Sequence, residues 1–81
     1  MEILLATFGK APHYFDVTSR VKQDVNNGVL IKDYTWKTLG DPSKGIPKDL
    51  TIVYSDNGQI ITRHFHETSH EGGVMKVNIP E

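Results

Sequence analysis

The chain reads as a mainly β domain: five or six short strands forming a sandwich or open barrel, with one short helix closing an end. Three observations carry this reading. Apolar residues fall in short runs broken by glycine, proline and asparagine. An Asn57-Gly58 pair lies between two alternating segments. The last segment, Val74 to Ile79, alternates cleanly, with Met75, Val77 and Ile79 on one side and Lys76 and Asn78 on the other. The alternative architecture is α+β, the helix packed across one sheet.

The first strand runs from Glu2 to Phe8. It is apolar on both sides, which predicts a central position in a sheet. Gly9, Lys10, Ala11 and Pro12 break it, and a short extended piece from His13 to Val17 follows. Thr18 is the expected N-cap of a helix of about two turns, its hydroxyl accepting from an orphan backbone N–H. Val17, Val21 and Val25, four apart, form the buried stripe of that helix. Asn27-Gly28 is read as its stop, glycine taking the left-handed C-terminal position. Val29 to Tyr34 is the next strand. Trp36 and Leu39 follow it, and then a loop from Gly40 to Pro47 with two glycines and two prolines.

Leu50 to Ser55 and Gln59 to Phe65 form a hairpin around Asn57-Gly58, which suits both positive-φ positions of a type I′ turn. A two-residue loop fixes the register as Ser55–Ile60, Tyr54–Ile61, Val53–Thr62, Ile52–Arg63, Thr51–His64 and Leu50–Phe65. One face then carries Leu50, Ile52, Tyr54, Ile61 and Phe65, with Arg63 as its one charge. The other carries Thr51, Val53, Ser55, Ile60, Thr62, His64 and His66. The first face is the expected core and the second is wet.

Composition bounds the function. Eighty-one residues make one domain, 1–81. Nine basic and ten acidic residues leave a net charge of −1, which speaks against a nucleic-acid footprint. With no cysteine there is neither a disulfide nor a thiol nucleophile. The start, Met1-Glu2-Ile3-Leu4-Leu5, has an acid where a secretory signal needs a base, so a cytoplasmic location is expected. No stretch approaches the ~18 apolar residues of a membrane span.

Several of these residues follow a pattern. Leu4-x-Ala6-x-Phe8-Gly9, Asp16-Val17-Thr18, Asn27-Gly28-Val29-Leu30, Leu39-Gly40-Asp41-Pro42, Gly45, Lys48, Leu50-x-Ile52-x-Tyr54 and the closing Glu71-Gly72 span nearly the whole chain. The set resembles a small β domain of unknown function found at the C-terminal end of some J-domain proteins and as short stand-alone bacterial proteins. The resemblance implies a mainly β fold and an accessory or interaction role, with no activity to carry over. The segment from Arg63 to His70 departs from the pattern in its wealth of histidine.

His66-Glu67-Thr68-Ser69-His70 is H-E-x-x-H, which on a helix places two histidines on a zinc ion and a glutamate beside the metal-bound water. Here His66 ends a strand, Gly72-Gly73 stops any helix, and the next ligand position of the longer motif is Lys76. A polar strand end is therefore preferred to a zinc-dependent hydrolase, and no metal or cofactor is assigned. His64 and His66 share a strand face with Cβ atoms ~7 Å apart. Exposed polar histidines are the favoured reading, and a surface ligand or metal contact is the sharper one. Gly40-x-x-x-x-Gly45 lacks the Lys-Ser/Thr of a phosphate loop. Trp36, the lone tryptophan, and Asp41 in the following loop are the candidate pair for a small carbohydrate or ligand site; core packing for Trp36 and turn chemistry for Asp41 are the competing roles.

The favoured function is a non-catalytic interaction module, binding a protein partner or forming a weak homodimer through a sheet edge. No nucleic-acid or membrane partner is expected. The last strand, Val74 to Ile79, is the expected edge, with Met75 and Val77 extending a shared core and Lys76 and Pro80 opposing it.

Overall fold

The computed structural model describes residues 1–40, 42, 46–67 and 73–79. Over the described residues the chain is mainly β, with six strands in two open antiparallel sheets and two short helices. The elements run β1 (Glu2–Lys10), β2 (His13–Asp16), α1 (Thr18–Asp24), β3 (Leu30–Tyr34), α2 (Trp36–Leu39), β4 (Asp49–Asp56), β5 (Gln59–His66) and β6 (Met75–Ile79). One sheet has the order β2-β1-β4-β5 and the other pairs β3 with β6.

The predicted hairpin register is the observed one. Every pair from Leu50–Phe65 to Ser55–Ile60 is present, and the ladder extends one step at each end, to Asp49–His66 and Asp56–Gln59. Asn57 at φ 51° and Gly58 at φ 79° make the turn. β1 is central as expected, flanked by β2 and β4, with a register shift between Ile3 and Leu5.

A single core lies between the two sheets and beneath α1. Ile3, Ala6, Phe8, Leu50, Ile52 and Tyr54 come from the larger sheet, and Leu30, Tyr34, Met75, Val77 and Ile79 from the smaller. Val17 and Val21 bring the helix onto it, and Val25 packs at its margin. The phenol of Tyr34 donates to Asp24 Oδ2 at 2.7 Å, fastening the end of α1 to β3. Burial foremost, then the hydrogen bond to the Asp24 carboxylate and its charge, raise the Tyr34 phenol above its ordinary value. Arg63, the one charge on the core face of β5, places its guanidinium 5.3 Å from the centre of the Phe65 ring two residues on.

Three local expectations need correction. There are two helices, not one: Trp36–Leu39 forms a single turn, closed by Gly40 N–H donating to Trp36 O at 2.7 Å. Gly40 holds φ +96°, and a Cβ there would run into the Phe15 ring. Thr18 is not a side-chain N-cap but the first helical residue. Its hydroxyl oxygen accepts from Ala6 N–H at 2.9 Å and donates to Asp16 Oδ1 at 2.6 Å. Asp16 Oδ1 also accepts from Thr18 N–H at 2.9 Å, so the aspartate satisfies the helix start. The Thr18 hydroxyl, and next its N–H, hold the Asp16 carboxyl below the usual carboxylate range.

Asn27-Gly28 does not terminate the helix. Helix α1 ends at Asp24 with Val25 already extended. Asn27 at φ 53° and Gly28 at φ 77° instead turn the chain between Asn26 and Val29, which form an isolated antiparallel bridge.

Candidate functional site

The larger sheet turns one face to the core and the other to solvent, and the outward face gathers the exposed functional side chains. It falls into two zones, because successive side chains on a strand alternate and cross-strand neighbours line up.

At one end the zone is polar. The Gly9–Asp49–His66 row crosses β1, β4 and β5, and two residues along lies the Thr7–Thr51–His64 row. His66 Nδ1 lies 2.6 Å from Asp49 Oδ1 and His64 Nδ1 lies 3.1 Å from Thr51 Oγ1. Lys10 Nζ approaches Asp49 Oδ2 at 3.7 Å, so Asp49 stands between two donors. The sequence pattern grouped His64 and His66 correctly on one strand face. It did not single out Asp49 or Thr51. The signal was present, since Thr51–His64 is a predicted pair and Asp49–His66 is the next step of the same ladder.

At the other end the zone is apolar. Leu5 pairs with Val53, and Ile60 lies across from Ser55 two residues along. Leu5 is 45% exposed and Ile60 72%; Tyr14 on β2, 53% exposed, pairs with Gly9 and so belongs to the polar end. Alternation explains why they face outward: their neighbours Ala6, Ile52 and Tyr54 occupy the core side.

Glu67, the acid of the H-E-x-x-H string, does not join this face. Its backbone N–H donates to Lys48 O at 3.0 Å, continuing the β4–β5 ladder past Asp49–His66. Its Oε1 accepts from Lys48 N–H at 2.7 Å and lies 3.4 Å from Lys48 Nζ. Both side chains are buried. Lys48 Nζ also donates to Ile46 O at 2.8 Å. A base that activates a metal-bound water must reach that water; this carboxylate is sealed against a lysine, and His66 is on a strand. Among the described residues no three histidine, cysteine or acidic side chains are grouped to hold a metal ion. His70 and Asp41 lie outside the described residues.

Trp36 is the first residue of α2 and packs, partly buried, against the core cluster. Its ring is therefore partly engaged by the fold. Met75 and Val77, the residues of the expected edge, are buried in the chain's own core. Among the described residues β6 pairs with β3 alone, and Lys76 and Asn78 are its exposed side chains. A cleft of about 490 Å³ separates β5 from β6, lined by His64, Phe65, His66, Val74, Met75 and Lys76. No described helix is long and apolar enough to cross a membrane.

No family model matches the chain, and neither a curated protein nor a solved structure matches it.

Proposed function

We propose that the protein is a non-catalytic interaction module that associates weakly with a second copy of itself. One observation carries this reading: Leu5 and Ile60 stand 45% and 72% exposed at one end of the outward face of a sheet whose other face already fills the core. Apolar side chains exposed together on one face mark a surface that gains by being covered. A symmetric pair is the commonest way for a chain to cover such a surface. Because Met75 and Val77 are buried internally, the apolar contribution comes from the outward face of β1 and β5, with the β6 edge adding backbone pairing at most. The accessory role fits the resemblance to the J-domain-associated β domain, which rests on the sequence pattern alone.

The burial of Glu67 against Lys48 weighs against the hydrolase reading, and the packing of Trp36 weighs against the carbohydrate one. Light scattering of the full chain across a concentration series tests the proposal. Mass should rise above one chain with concentration, and Leu5→Ser with Ile60→Ser should return it to one chain without lowering the denaturant midpoint. A mass of one chain throughout would sink the self-association.

A further inference from the structure

We propose that His64 and His66 form a two-imidazole site for a borderline divalent cation such as Zn²⁺, Ni²⁺ or Cu²⁺. This goes beyond the interaction reading and does not depend on it. Two features of the outward face carry it.

The first is placement. Residues two apart on a strand project from one side, and β5 is an edge strand of its sheet. His66 is 72% exposed at the side chain, so the ring is open to a solvated ion. The cleft between β5 and β6 lies beside both rings and leaves room for the ion's other ligands.

The second feature is the backing. Histidines that hold metals use one ring nitrogen for the ion and give the other N–H to a carboxylate, a carbonyl or another acceptor. Both rings have Nδ1 against an oxygen of β4, His66 with Asp49 Oδ1 at 2.6 Å and His64 with Thr51 Oγ1 at 3.1 Å. An Nδ1–H donated to Asp49 leaves the Nε2 lone pair of a neutral His66 as the ligand. The same tautomer at His64 makes Thr51 Oγ1 the acceptor. With each Nδ1 held by strand β4, Nε2 is the nitrogen each ring has left for an ion. Lys10 Nζ, 3.7 Å from the far oxygen of Asp49, holds that carboxylate from its other side. Imidazole nitrogen suits Zn²⁺, Ni²⁺ and Cu²⁺. Two protein ligands leave the remaining positions to water or a small anion.

The test uses the full chain without an affinity tag, titrated with Zn²⁺ alone and followed by calorimetry and by the ¹⁵N signals of the histidine rings. One equivalent should bind, moving the Nε2 signals of His64 and His66 together. His64→Gln and His66→Gln should each weaken binding at least tenfold. Asp49→Asn, a positioning change, should weaken it about tenfold or more and shift the His66 tautomer signal in the metal-free protein. His13→Gln and His70→Gln should leave the affinity unchanged. The proposal is overturned if either glutamine variant at 64 or 66 binds as the parent does, if His70→Gln costs as much as they do, or if no saturable binding is seen. Thermal melts of the metal-free variants establish that each is folded.

Discussion

The two faces of the larger sheet are built from the same four strands and behave as opposites. On the inner face Ala6, Phe8, Leu50, Ile52 and Tyr54 are buried, and the Arg63 guanidinium there lies against a phenylalanine ring. On the outer face, one residue away in each strand, Leu5 and Ile60 are exposed, and Asp49, Thr51, His64 and His66 form a polar cluster. The inner face carries the packing and the outer face is left to solvent. A period of two separates the roles so completely that neighbouring residues answer to different selections.

The largest expected break in that contrast is at the sheet's end. Lys48→Met should cost about 3–5 kcal/mol, because it leaves the Glu67 carboxylate buried without its counter-charge. Lys48→Met combined with Glu67→Leu should recover much of that loss. A double variant no more stable than Lys48→Met, by denaturant midpoint, would show that the pair matters for more than charge balance.

Next is the contrast itself. Ile52→Ala on the inner face should cost about 2–5 kcal/mol through the cavity it leaves. Ile60→Ser on the outer face of the same hairpin should stay within about 0.5 kcal/mol. Equal losses by chemical denaturation would erase the division between the faces.

A smaller effect tests the turn that sets which residue faces where. Gly58→Val should cost about 1–3 kcal/mol, since a β-branched residue resists positive φ. A Cβ at Gly58 would meet nothing within 4 Å, so the loss would be backbone strain alone. An unchanged midpoint would count against the type I′ geometry.

The mildest test concerns alkaline pH. The Tyr34 phenol has its affinity for protons raised on folding, from an ordinary value of 10.0. The contribution is complete below that value. It is lost as pH rises above it, because the unfolded chain releases its proton first. Stability should therefore decline above about pH 10, and Tyr34→Phe should flatten that decline. Identical pH profiles for the two proteins would remove Tyr34 as its source.

Where the sequence was readable, a short-range rule had one physical outcome. Asn57-Gly58 sits between two alternating segments, so the turn, the register and the core face followed together. Asn27-Gly28 has the same two residues at the same left-handed φ values, yet its place after a valine-striped helical segment points to a helix stop. It joins an extended residue at Val25 to β3, and only the bridge between Asn26 and Val29 reveals it as a turn. Its sequence position offers the Thr18 hydroxyl as a cap of its own helix; in the fold it bonds Asp16 two residues back and Ala6 twelve residues away in β1. The outward histidines were legible as a pair, while their backing by Asp49 and Thr51 required following the ladder across to β4. Lys48 belongs to the sequence pattern, but nothing local marks it as a buried ion-pair partner, since Glu67 is nineteen residues away.

The burial of Glu67 changes what an experiment on it would mean. In a zinc hydrolase, Glu67→Gln would be the natural probe of a water-activating base, and lost activity would be taken as proof. In this protein the same change removes one half of a sealed ion pair at the open end of the β4–β5 hairpin. Any property of the protein would then be expected to decline, enzymatic or not. A variant library scored on function alone would credit position 67 with chemistry when its sensitivity arises from folding. A melting curve is the measurement that must come first at this residue.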